Sequence, residues 1–281
     1  MYQSFLSTIF LLFAVAISIA QKNNTSEILQ VTYDHSYKLL ESDTLHKHET
    51  MRLLIQGMRT SFMENFQYKS DSIIKKNSTH LPTTEEEADI LLQANQKTDN
   101  LYRIHADPEK LGYYSPLGIH TVYRYEEIPS MEWQLTGASR NILGYSCKSA
   151  TVSYGGRAWT AWYAPELPYN AGPYKFKGLP GLILSIHDAT NDFSFAIVGL
   201  KKIQSTEFLN VSPATKFEKA EKVTQKEFNK LKRAFDQLSI VEKLNYGSTS
   251  TISIINSSGE DLTKQRKFNK RLEGKRVYME Q

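Results

Sequence analysis

Residues 142–200 constrain the fold more than any other stretch of the chain. Ile142-Leu143-Gly144-Tyr145-Ser146-Cys147-Lys148 is followed by Gly156-Arg157-Ala158-Trp159-Thr160-Ala161-Trp162-Tyr163, then Gly172-Pro173-Tyr174-Lys175-Phe176, then Gly178-Leu179-Pro180-Gly181-Leu182-Ile183-Leu184. Short β-forming runs cut by Gly and Pro turns at intervals of roughly ten residues are the pattern of an antiparallel sheet. Strand alternation puts Trp159 and Tyr163 on one face and Trp162 on the other.

The flanks extend this pattern. Ile28 to Asp34 reads as a strand with Leu29, Val31 and Tyr33 on one face, and Met51 to Ile55 is a second apolar run. Ser61 to Phe66 fits a strand and a helical turn equally well. Thr83-Thr84 ahead of Glu85-Glu86-Glu87 suits a helix start, with a hydroxyl cap and acids at the positive end of the dipole. From Ile119 the alternation is steady, and Met131, Trp133 and Leu135 share a face, as do Phe193, Phe195 and Ile197. Thr224 and Glu227 have capping-box spacing, and Phe228, Leu231, Phe235 and Leu238 form one stripe of an amphipathic helix. Ser250 to Ile255 reads as a last strand. The expected organisation is a single β-rich domain over 21–262 and a basic, solvated, flexible tail over 263–281.

Phe5 to Ala20 is an uncharged apolar run of sixteen residues, short of the roughly 20 a membrane span needs. Ser18 and Ala20 supply the small residues of a cleavage site, so residues 1–20 read as a signal peptide and the mature chain starts at Gln21. That implies an exported protein with no membrane span after processing. The single cysteine allows no internal disulfide. The net charge of +4 comes from cations scattered along the chain, which argues against a nucleic-acid partner.

Gly178-Leu179-Pro180-Gly181-Leu182-Ile183 is letter for letter the signature of the GLPGLI family of exported Bacteroidota proteins. Gly144 to Ala150, Gly156-Arg157-x-Trp159-x-Ala161-Trp162-Tyr163, Leu167-Pro168 and Gly172-Pro173-x-Lys175-Phe176 precede it in that family's order. The chain thus resembles the family strongly from Trp133 to Leu200. The resemblance implies a periplasmic or cell-envelope location. It also implies a mainly β fold, an antiparallel, strongly curved sheet or half-open barrel similar to lipoprotein carriers, with a few packing helices. It implies no particular reaction.

Read physically, the signature is a corner. Pro180 fixes its own φ, Leu179 before it is pushed to extended backbone, and Gly178 and Gly181 bracket the pair. A glycine after proline suits a type II turn. The competing reading is contact with a ligand or partner through Trp159, Trp162, Tyr163, Phe176 and Leu179, in a neighbourhood that also holds Tyr169 and Tyr174.

Catalytic chemistry finds little support. Cys147 with His187 and Asp188 is the one nucleophile arrangement, and Cys147 sits in strand-like sequence with no activating surroundings, as a small buried hydrophobe does. His35, His46 and His48 lack the ligand spacing of a metal site. Glu85-Glu86-Glu87 and Glu126-Glu127 have no apolar context to raise a carboxyl pKa, and no phosphate loop occurs. No catalytic residue, metal or cofactor is assigned. The expected role is a binding or carrier module for an apolar ligand or peptide. Docking on an envelope protein such as a transporter or peptidase is the alternative, and an enzyme is the third class.

Overall fold

The structure, a computed structural model, describes residues 26–77, 82–96, 101–205, 217, 219–249, 253, 255, 258–261, 263, 265 and 275–280. The export signal expected over 1–20 and most of the strand expected over 250–255 lie outside the described residues.

The chain is mainly β, built on one twelve-stranded sheet. In chain order its strands are β1 (Ser26–Tyr37), β2 (Lys47–Gln56), β3 (Arg59–Glu64), β4 (Arg103–Ala106), β5 (Leu111–Leu117), β6 (Thr121–Glu127), β7 (Gln134–Ile142), β8 (Tyr145–Tyr154), β9 (Arg157–Ala164), β10 (Leu182–Asp188), β11 (Phe193–Ser205) and β12 (Glu221–Lys222). The spatial order is β12-β6-β5-β4-β3-β2-β1-β11-β10-β9-β8-β7. Every pair is antiparallel except β12 with β6. β7 and β12 are the two edges, so the sheet is not closed into a barrel.

The period of two explains one side of the core. Leu29, Val31, Tyr33 and Tyr37 of β1 are buried on one face, opposite Ile55, Leu53 and Met51 of β2. Phe62 of β3, Ile104 of β4, Phe195 of β11, and Trp159, Ala161 and Tyr163 of β9 continue that face. It is covered by the connection between β9 and β10, residues 165–181. Tyr174 meets Tyr102 and Tyr113 near β4 and β5, whereas Phe176 meets Trp159 and Tyr154 on β9 and β8. One loop therefore packs on strands from both ends of the sheet order.

Four helices complete the described chain: α1 (Asn65–Lys76), α2 (Glu85–Gln96), α3 (Gln225–Asp236) and α4 (Ile240–Asn245). The ambiguous stretch 61–66 is both things at once. It ends β3, and the Glu64 side chain caps α1 by accepting from the N–H groups of Phe66 and Gln67. The expected capping box of α3 is present, with Thr224 and Glu227 bonding each other's backbone N–H. Phe228 and Phe235 bury its apolar stripe.

Two expectations are corrected. Met131 and Trp133 precede β7 and do not share a strand face with Leu135, which is exposed. The Trp133 ring N–H instead donates to the Lys177 carbonyl at 2.8 Å, fastening that segment to the 165–181 loop. Nor is the tail solvated throughout, although Lys275 is exposed. Arg276 and Val277 are buried, Glu41 N–H donates to Lys275 O and Val277 N–H to Leu39 O, and the Arg157 guanidinium binds the Tyr278 carbonyl at 2.8 Å. Basic composition suggested water, but Asp236 pairs with Arg276 at 3.3 Å and removes that need.

Candidate functional site

Lys175, in the middle of the 165–181 loop, sends its side chain inward rather than to solvent. Its ammonium lies 2.6 Å from Glu127 Oε1 and 2.5 Å from Glu280 Oε1, and it donates to the Tyr125 hydroxyl at 2.8 Å. The rings of Tyr113, Tyr125 and Tyr174 stand about it at 5.0–5.3 Å, within cation–π range. Tyr174 donates to Glu280 Oε1, and Gln225 donates to its other oxygen at 2.8 Å. Phe228 of α3 closes the cage by packing on Tyr113 and Tyr125.

A buried cation is costly unless its partners are well placed, and here two carboxylates and a phenol supply the field that water would have provided. Burial nevertheless dominates at Glu127, raising its carboxyl above the usual range against the pull of Lys175. It also raises the phenols of Tyr113, Tyr125, Tyr154 and Tyr174, keeping them protonated donors. This corrects the reading of Glu126-Glu127 as acids without apolar context. Alternation splits the two: Glu126 stays outside with Lys110, Arg124 and Lys222, and Glu127 turns in.

Two clefts adjoin the cage, with Pro129 and Ser130 lining both. One, of about 600 Å³, lies between the β2–β3 turn, the β4–β5 connection and the 165–181 loop. Its lining is mixed: Ile55, Met58, Ile104, Leu111, Met131 and Tyr169 stand beside Asp107, Asn170 and Lys177, and Met58 is 78% exposed at its rim. The other, of about 700 Å³, runs along α3 from Glu127 and Glu280 to Lys226, Lys230 and Arg233.

Of the five proposed contact residues, Trp159, Tyr163, Phe176 and Leu179 are core residues. Phe176 and Tyr169 also line the cleft over the 165–181 loop. Trp162 alone stands half-exposed, on the opposite face as alternation required, with the Arg140 guanidinium 4.2 Å above its ring. The signature is a corner of a different kind from the type II turn. Gly181 N–H donates to Leu179 O at 2.8 Å across Pro180, which is a three-residue γ-turn, and Leu182 then enters β10. Gly178 has φ of +104° and donates its N–H to the Asn170 side chain.

The nucleophile arrangement is not assembled. Asp188 is buried and committed to Arg157 at 2.5 Å and to Phe193 N–H, while alternation turns His187 to the half-exposed face. Burial raises the Cys147 thiol, and the sulfur donates to Tyr145 O, two residues back, at 3.6 Å. The histidines are also apart in role. His46 bonds Asn191 O, His48 pairs with Asp34, and His35 is stacked in the core. Among the described residues no group of three His, Cys, Asp or Glu side chains could hold a metal ion, and no helix is long and apolar enough to cross a membrane.

The Lys175 cage was not legible in advance because its acids come from remote positions. The one local hint was a lysine between two aromatics in a Gly-Pro loop.

Residues 156–185 match the model of a family described as a protein of unknown function, Porph_ging. No curated protein matches. Two solved structures of PNGF-II, in space groups C2 and P21, are similar in fold, each with a TM-score of 0.52. They are 13% and 11% identical in sequence, over 76% and 82% of this chain. The chain spans only 34% and 38% of their length, and at these identities the likeness concerns the fold alone.

Proposed function

We propose that this chain is an exported, non-enzymatic module of the cell envelope that binds an apolar ligand or peptide in the cleft over the 165–181 loop. The observation that carries the reading is the cleft itself. At about 600 Å³ it falls within the size range of small-molecule sites, and Ile55, Met58, Ile104, Leu111 and Met131 line it. On this reading the sheet acts as a carrier-like, half-open wall whose mouth holds the ligand. The buried face is already filled by Tyr174, Phe176 and Leu179.

A second reading, docking on an envelope transporter or peptidase, draws on β7. That strand is a sheet edge, and seven of its nine residues are exposed. Such an edge can accept another strand.

The first reading is tested with N-phenyl-1-naphthylamine, a neutral apolar fluorophore, and by mass spectrometry of molecules extracted from protein purified from its own envelope. Met58→Glu, at an exposed rim position, should weaken probe binding at least tenfold with little change in melting temperature. Equal binding by the variant, together with no co-purifying lipid or peptide, would remove the reading.

A further inference from the structure

We propose that Lys175 and the cations of α3 form a binding site for acidic peptides, which Glu280 occupies as an internal stand-in. Lys175 and Tyr174 line the cleft assigned above, whereas Glu280, Gln225 and the α3 cations line the cleft along α3, so the site sits where the two meet. Its test reads charge and does not depend on an apolar ligand.

Three donors converge on the Glu280 carboxylate: Lys175 at 2.5 Å, the Tyr174 hydroxyl, and Gln225 at 2.8 Å. They come from two segments far apart in sequence, the 165–181 loop and α3, so a carboxylate site exists independently of the segment that fills it. The approach is shaped for main chain. Gly155, with φ of +62°, lies beneath the segment, and a Cβ there would sit 2.8 Å from Glu280 Cγ and 3.0 Å from Met279 O. What the site holds is therefore a peptide presenting a glutamate.

The cleft continues beyond that glutamate along one face of α3. Lys226, Lys230 and Arg233, at i, i+4 and i+7, line it, and none has an ion-pair partner among the described residues. Arg233 only rests over the Tyr278 ring, at 5.7 Å. The carboxylates lining the same cleft, Glu127 and Glu280, share the single charge of Lys175, which leaves the three α3 cations in excess of the remaining negative charge. A peptide carrying several acids would place one on the Lys175 donors and the others on the α3 cations. Glu280 can yield its place without loss of the whole segment, because Arg276 is held by Asp236 and Tyr278 O by Arg157. A tethered competitor of this kind acts at an effective concentration of about millimolar. The unmodified chain should therefore bind acidic peptides weakly, and removal of Glu280 should expose the site.

The test is calorimetric titration of the full chain with hexaglutamate at low ionic strength, with hexalysine as control. Glu280→Ala should bind hexaglutamate at least tenfold more tightly than the unmodified chain. Adding Lys226→Glu and Lys230→Glu to that variant should abolish binding while leaving its melting temperature nearly unchanged. If Glu280→Ala lowers the melting temperature sharply, Glu280→Gln, which keeps the shape and removes the charge, replaces it with the same expected direction. Equal affinity with and without the Glu280 charge, indifference to the α3 reversals, or equal binding of hexalysine would each overturn the proposal.

Discussion

The Tyr33 hydroxyl donates a 2.7 Å hydrogen bond to the carbonyl of Ile183, reaching past the intervening strand β11. β10 pairs with β11 only from Ser185 onward, and its register against β9 shifts between Ile183 and Ser185. Ile183 thus bonds outside the regular ladder, its N–H to Ala171 O and its carbonyl to Tyr33. Tyr33→Phe leaves that buried carbonyl unpaired and should cost about 1–3 kcal/mol, read as a fall in melting temperature of several degrees. A variant that melts with the wild type would mean that the bulge finds another donor.

Much of this architecture was legible because burial and alternation coincide. Leu29, Val31 and Tyr33 were readable as one face, and they are one face. The α3 helix announces itself by a capping box and a stripe. The α1 helix does not, because the residues it buries include Gln67, Ser70 and Asp71. Asp71 is inside because Arg103 meets it at 2.5 Å from β4. The same reason hides the Lys175 cage. A charged residue reads as surface until its partners are known, and Glu127 and Glu280 are brought to Lys175 by tertiary structure alone. The aromatic crowding around the signature was visible, but periodicity does not say whether a buried face is filled by the chain itself. Here the 165–181 loop fills it.

His35 is stacked on Phe195 at 4.1 Å and on Tyr37 at 4.9 Å, and neither ring nitrogen has a hydrogen-bond partner among the described residues. Burial, then the nearby His48, pushes its pKa down to about 3. Below pH about 6.5 the unfolded chain takes up a proton that the folded chain refuses until about pH 3. Stability is therefore lost as the pH falls through that window. His35→Phe keeps the stack and removes both the unpaired nitrogens and the titration. It should melt a few degrees higher at pH 7, on the order of 1–3 kcal/mol, and lose less between pH 7 and 5. His105, also pushed down to about 3, leaves a residual slope. A lower melting temperature at pH 7 would show that His35 bonds something the fold alone does not supply.

Glu87 ties the end of α1 to the start of α2. Its carboxylate accepts from Thr83 N–H at 2.8 Å, the Thr83 hydroxyl at 2.7 Å and the Asn77 amide at 3.0 Å, with Lys76 at 3.2 Å. These bonds, those from Thr83 first, hold its pKa down to about 2. The depressed value means that the tie is intact above the ordinary carboxyl pKa of about 4.3 and is lost as the pH falls through about 2. An NMR titration of the Glu87 carboxyl should give a midpoint below 3, and Glu87→Gln should lower amide protection in α2 at neutral pH without affecting β1 or β11. A midpoint near the ordinary value would mean that the two helices are not joined this way in solution.

The signature makes the sharpest ranking. Gly181 has φ of +151°, and a Cβ there would lie 2.7 Å from the Ala164 carbonyl carbon and 3.0 Å from Pro165 Cα, so the β9 exit runs directly against it. Gly181→Val should cost several kcal/mol, by backbone strain and by this collision. Pro180 is exposed, and Pro180→Ala loses only unfolded-state restriction, about 1 kcal/mol or less. Trp159, 1% exposed with its ring N–H on Tyr154 O, belongs with Gly181: Trp159→Ala should cost about 3–5 kcal/mol. Trp162, half-exposed under Arg140, should fall well short of that. Thermal melts of the four variants decide between a corner and a contact surface. If Trp159→Ala melted near the wild type while Trp162→Ala unfolded, the face that carries the core would have been assigned backwards. If Gly181→Val melted like the wild type, the close approach to Ala164 would not be what the signature protects.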